Sequence, residues 1–198
     1  MNIGITGGIG SGKTTVCRLF EKHYNIPVYY ADSRAKKLMT YDQSLKSAIK
    51  VEFGPDIYHS NGRLNRAALA TIVFNDKKRL ASLNALVHPA VYEDGIRWFK
   101  EMKSTAPYLL KEAALLYESD SASQLDKIIV VHVDDETRIE RVMKRDHCDR
   151  QSVLDRMNKQ MDQQEKMNRA DYLINNADRK QLLPQIKKIH LELLAISQ

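Results

Sequence analysis

The stretch GITGGIGSGKTT, Gly4 to Thr15, places five glycines and four hydroxyl side chains in twelve positions and sets a lysine just before its two closing threonines. Within it, Gly7-Gly8-Ile9-Gly10-Ser11-Gly12-Lys13-Thr14 fits the pattern G-x-x-x-x-G-K-[ST] of a phosphate-binding loop. Glycines admit positive φ, and without Cβ atoms the backbone N–H groups can close around a polyphosphate. In such a loop Lys13 reaches the β- and γ-phosphates and the Thr14 hydroxyl coordinates Mg²⁺. Gly8, Gly10, Ser11, Gly12 and Thr15 complete the expected nucleotide site. The flanks agree: Asn2–Thr6 reads as a strand, and Thr14–His23 carries Val16, Leu19, Phe20 and His23 at helical spacing. A plain Gly-rich turn explains neither Lys13 nor the paired threonines.

Composition sets the frame for that loop. A chain of 198 residues suits one globular domain with room for an inserted subdomain. Hydrophobic content of 43% against 28% charged excludes disorder as the default. The net charge of +6 favours anionic partners without choosing between nucleic acid and phosphorylated small molecules. Cys17 and Cys148 stand in no zinc or disulfide spacing, which fits a reducing compartment. Met1–Ile5 has no basic leader, and apolar runs such as Ile128–Val131 are far too short to cross a bilayer. The expectation is a cytoplasmic protein without a membrane partner.

Strands and helices alternate beyond the loop. Val28–Ala31, Tyr108–Leu110, Lys127–Val133 and Tyr172–Ile174 read as further strands, and the helical patterns between them imply an α/β fold with a parallel sheet covered on both faces. Ligands are then expected beyond the carboxyl ends of the strands. Ala35–Lys103 has apolar residues at helical spacing, such as Leu64, Ala68 and Ile72, and reads as an inserted helical subdomain. Arg138–Arg169 is a charged helical stretch interrupted near His147 and suggests a second mobile element. In it Arg138, Arg150, Arg156 and Arg169 read as a solvated face, whereas Arg141 and Arg145, four apart, can both point to a nucleotide.

Several further residues are ambiguous by chemistry alone. Asp32 follows the second strand and reads equally as a proton acceptor or as the N-cap of a helix starting at Ser33. Glu112 and Glu118 are either functional or solvated carboxylates, and His88, before Pro89, is more often a packing or capping residue.

The ordered set GITGGIGSGKTT, VYYADSRAKKL, GRLNRAALATIVFND, LNALVHPAV, ALLYES, RVMKRD and RADYLINN resembles the dephospho-coenzyme A kinase family of phosphate-loop kinases over nearly the whole chain. Two departures stand out. Tyr30 replaces the first Asp of the family's Asp-Ala-Asp, and Ala114 replaces the proline of its Pro-Leu-Leu-x-Glu. The resemblance implies ATP-dependent phosphorylation of the ribose 3′-hydroxyl of dephospho-coenzyme A. It implies a nucleotide-binding core at 1–34 and 104–198 with a lid at about 141–169, and an acceptor-binding insertion at 35–103. Asp32, retained at the second Asp, becomes the base; Lys13 and Arg141 complete the catalytic set. His88 and Glu118 are assigned to the acceptor, Arg145 and Asn176 to the nucleotide, and Asn175 and Asn176 are expected in a loop near the adenine or in a simple turn. Partners reduce to dephospho-coenzyme A, with no nucleic acid or membrane and a monomer or weak oligomer. A nucleoside- or shikimate-type kinase is the alternative. A phosphate-loop GTPase or ATPase lacks an Asn-Lys-x-Asp sequence here, and a non-catalytic nucleotide module leaves Asp32 beside intact Lys13 and Thr14 unexplained.

Overall fold

The computed structural model of the chain describes every residue except Asn75, Ser119 and Gln198. Asn75 of GRLNRAALATIVFND and the last residue of ALLYES therefore lie outside the described residues. The chain divides into two compact units, Met1–Tyr29 with Phe99–Gln198, and Tyr30–Trp98.

The first unit is built on a five-stranded parallel sheet of β1 (Asn2–Thr6), β2 (Val28–Tyr30), β3 (Leu109–Glu112), β4 (Lys127–His132) and β5 (Tyr172–Asn175), in the order β2-β3-β1-β4-β5. β1 is central: Ile3 pairs with Leu110 on one side, and Gly4 with Ile128 on the other. Ile3 and Ile5 in β1 and Ile129–Val131 in β4 are wholly buried, because helices cover both faces of the sheet. The first helix, α1 (Lys13–Tyr24), turns Val16, Cys17 and Phe20 to the sheet at spacings of three and four, and ends on Asn25 in the left-handed region (φ 53°). Cys17 is thus a core residue, and its burial pushes the thiol well up. The last helix (Leu182–Ile196) covers the same side, where His190 Nδ1 lies 2.6 Å from the Tyr108 hydroxyl and its ring stacks on Tyr24.

The second unit is helical: α2 (Ala31–Tyr41), α3 (Gln43–Phe53), α4 (Arg66–Phe74) and most of α5 (Lys77–Met102). Its core gathers Leu45, Ile49 and Phe53 of α3, Leu69 of α4 and Val87 of α5 around Ile57, Tyr58 and Leu64. The Arg34 guanidinium forks onto buried Asp94 with two 2.6 Å hydrogen bonds and ties α2 to α5.

Ile49 and Val51 share α3 but are 0% and 90% exposed. Ile49→Ala is expected to cost about 2–5 kcal/mol and Val51→Ala under about 0.5 kcal/mol in urea unfolding. Similar losses at both positions would contradict the core assignment.

Candidate active site

Residues 7–12 form the turn between the carboxyl end of the central strand and the first residue of α1. Gly10 and Gly12 have φ of 81° and 95°. A Cβ on Gly10 falls 2.5 Å from the Arg138 carbonyl oxygen, and one on Gly12 falls 2.0 Å from Asn176 Nδ2. Neither position admits a side chain, by conformation or by space. The loop closes on itself where Ser11 N–H donates to Gly8 O (3.1 Å) and Lys13 Nζ to Gly7 O (3.0 Å) and Gly8 O (3.4 Å). Lys13 is buried, and the exposed Thr14 and Thr15 occupy the first turn of α1, the positive end of the helix, whose leading N–H groups lack helical partners.

Two polar groups of the site are buried without a hydrogen-bond partner among the described residues: Ser11 Oγ and Arg141 Nη1. Orphaned donors are what an anion satisfies, so the cradle fits a polyphosphate. Arg141 stands on α6 (Asp135–Asp146), and its Nη2 donates to Asn176 O (3.0 Å). Arg145 instead bonds to Asp146, which also receives Arg156, and these two guanidinium groups hold the Asp146 carboxyl well below the usual carboxylate range. α6 stops there, with His147 left-handed at φ 51°.

The solvated-face reading of Arg138 is corrected. Its side chain is 5% exposed; Nε donates to Ile9 O (3.0 Å) and Nη1 pairs with Asp135 (2.7 Å). The signal was in the periodicity of α6: Arg138 lies four residues before Val142, on the buried face. The placing of Asn175 is corrected as well, while Asn176 does follow the last strand. Asn175 is the last residue of β5, and its Oδ1 accepts from Ala177 N–H. Asn176 is buried and donates through Nδ2 to Ser11 O (2.7 Å) and through its N–H to His132 O (2.8 Å), so it ties β4 to the phosphate loop.

Glu112 is not a solvated carboxylate, and Glu118, although an exposed residue, is held by partners. Glu112 ends β3, buried. Glu118 accepts from Met161 N–H (2.9 Å) and pairs with the fully buried Lys166 at 2.9 Å. Lys166 lies on α8 (Gln163–Asn168), after α7 (Arg150–Met157), and also donates to Ala114 O (3.1 Å). Burial acts to raise the Glu118 carboxyl, but the bonds from Lys166 and Met161 outweigh it and hold the group below its usual range.

In the helical unit the cap reading of Asp32 fails. Tyr30 is the N-cap of α2, and Asp32 sits exposed inside the first turn, with its charge at the helix's positive end. His88 is exposed on α5, ahead of Pro89 within the helix.

Gly12→Ala combines a left-handed backbone with a clash against Asn176, a strain of about 1–3 kcal/mol that the loop relieves only by moving. ATP binding, followed by titration, is expected to weaken tenfold or more while the circular dichroism spectrum is kept; unchanged affinity would contradict the cradle geometry.

The comparisons with known proteins agree with this geometry. The family model described as Dephospho-CoA kinase matches residues 1–181. A dephospho-CoA kinase of Bacteroides fragilis is 36% identical over 195 residues, covering 98% of this chain and 92% of the relative. One of Mannheimia succiniciproducens is 38% identical over 174 residues, covering 88% and 80%. The solved structure of TT1252 from Thermus thermophilus matches with a TM-score of 0.85 and 34% identity over 98% of this chain and 97% of that one. With the family's profile running through both units and a phosphate loop intact in sequence and shape, the chain belongs to the dephospho-CoA kinase family.

Proposed function

We propose that the protein transfers the γ-phosphoryl group of ATP to the ribose 3′-hydroxyl of dephospho-coenzyme A, giving coenzyme A and ADP. The observation that carries the reading is the phosphate loop, with buried Lys13 and the orphaned Arg141 donor, in a chain of this family.

The γ-phosphorus forms a bond to the 3′ oxygen as its bond to the β,γ-bridging oxygen breaks, and the electron pair leaves with ADP. Lys13 and the N–H groups of Gly10, Gly12 and Thr14 bind the chain of phosphates. Arg141 places positive charge where negative charge accumulates in the transition state, the main means by which proteins accelerate this transfer. Arg145 is a second lid cation for the nucleotide. Asp32 accepts the proton of the 3′-hydroxyl; its exposed carboxylate in the first turn of α2 suits that role. The helical unit, with His88, is the acceptor-binding part. Mg²⁺ bound to the triphosphate supplies charge neutralisation, and the Thr14 hydroxyl is the side chain that would hold it. The protein is read as cytoplasmic and as a monomer or weak oligomer.

Asp32→Asn keeps the shape and removes the proton acceptor. Turnover is expected to fall roughly 10² to 10⁴-fold, with ATP affinity within a few-fold and stability within about 1 kcal/mol, since only a first-turn charge is lost. Lys13→Ala is expected to abolish turnover with the fold intact. Calorimetry, ATP titration and coupled ADP release on both variants check this; near-parent turnover of Asp32→Asn would remove Asp32 as the base.

A further inference from the structure

Ile9 sits at the crest of the phosphate loop, and both of its backbone polar groups are taken from outside the loop. Its N–H donates to Gln160 Oε1 (2.9 Å), and its C=O accepts from Arg138 Nε (3.0 Å). Its side chain packs against Ile139, Val142 and Val153 of α6 and α7, so the crest is held by both side chain and backbone.

The described residues contain no cis peptide bond, and in a trans unit the C=O and N–H point to opposite sides. Gln160, in accepting the Ile9 N–H, therefore turns the Gly8 C=O the other way, where Ser11 N–H (3.1 Å) and Lys13 Nζ (3.4 Å) meet it. Arg138, in drawing the Ile9 C=O to itself, turns the Gly10 N–H away from α6. A bare carbonyl rotated into an anion cradle repels phosphate; one capped by donors, as Gly8 C=O is by Ser11 N–H and Lys13 Nζ, does not, and it holds the lysine in the loop. The direction of two peptide planes therefore decides whether the crest binds or opposes the nucleotide.

Gln160 is itself fixed by the residues just beyond it in the chain. Met161 N–H is held by Glu118, Gln163 Nε2 donates to Val133 O (3.0 Å), and Lys166 is locked between Glu118 and Ala114 O. The segment returning from α7 to β5 is thus pinned to the loops after β3 and β4 before it touches Ile9.

Resting on the phosphate-loop reading, we infer that Arg138 and Gln160 are positioning residues for the nucleotide phosphates, acting through the two peptide units that flank Ile9. The segment that returns from α7 then sets the shape of the phosphate loop as well as carrying the lid.

Gln160→Met and Arg138→Met keep side-chain bulk and remove the polar hold. The measurements are ATP affinity by titration without acceptor, KM for dephospho-coenzyme A, and the unfolding midpoint. Each variant is expected to weaken ATP binding about fivefold or more, as loss of one hydrogen bond does, with the acceptor KM within about twofold. Arg138→Lys, which keeps a donor, is expected to recover most of the loss. If either Met variant fails to fold, Gln160→Asn and Arg138→Lys carry the test: the shortened or less directional contact weakens ATP binding selectively, by less than the full loss. ATP affinity equal to the parent's in all folded variants overturns the inference. So does an equal loss of ATP and acceptor affinity, with a lower midpoint, since that marks general loosening. Because ATP is titrated alone, a wrong acceptor assignment leaves the result standing; a parent that does not bind ATP overturns the loop reading and this inference together.

Discussion

A polyphosphate held by backbone requires a turn in which N–H groups face inward and no side chain intrudes. In this protein that requirement leaves almost no free space: Arg138 O stands 2.5 Å from where a Gly10 Cβ would be, and Asn176 Nδ2 2.0 Å from where a Gly12 Cβ would be. The neighbours that fill the space also hold the turn, Arg138 at Ile9 O and Asn176 at Ser11 O. These contacts need the beginning of α6 and the end of β5 beside the loop. The strand order β2-β3-β1-β4-β5 supplies that, since β4 and β5 follow β1 on one side and their carboxyl ends deliver both residues. The buried apolar strands and the helices over them exist, in this sense, to keep a few backbone dipoles in place.

The chemistry is divided in the same spirit. The charge proposed to bind phosphate, from Lys13 and Arg141, belongs to the sheet unit, where burial and fixed partners limit motion. The carboxylate proposed as base, Asp32, and the proposed acceptor contact His88 belong to the helical unit, whose core around Ile49, Phe53 and Val87 is its own. Asp32 needs no cap role to explain its position, because Tyr30 takes the N-cap. The substitution of Tyr30 for the family's first Asp thus leaves a single carboxylate at the turn into α2.

Much of this was legible in the sequence because it depends on local rules. Strand, glycine loop and helix in fixed order announced the phosphate site, and the apolar runs marked the strands to within a residue or two: β3 begins at Leu109 rather than Tyr108, and β5 runs on to Asn175. The helical insertion was visible in its spacing, as in Ala68 and Ile72 of α4, although Leu64 lies before that helix and bridges to Tyr58. What escaped depends on tertiary contact. Arg138 looked solvated because charge outweighed its place on the buried face of α6. Gln160 lies outside any regular element, and its partner is a main-chain N–H, which leaves no periodic trace. Glu118 looked free because Lys166, its partner, lies 48 residues on and is the kind of residue expected at the surface.

The most direct measurement is ADP release from Mg-ATP with dephospho-coenzyme A, AMP, adenosine and shikimate offered as acceptors at equal concentration. The sheet unit alone would serve any phosphate-loop kinase, so the acceptor decides. Turnover per KM with dephospho-coenzyme A is expected to exceed the others by about 100-fold or more, with the new phosphate on the ribose 3′ oxygen. A faster reaction with shikimate, AMP or adenosine, or ADP release independent of any acceptor, would contradict it.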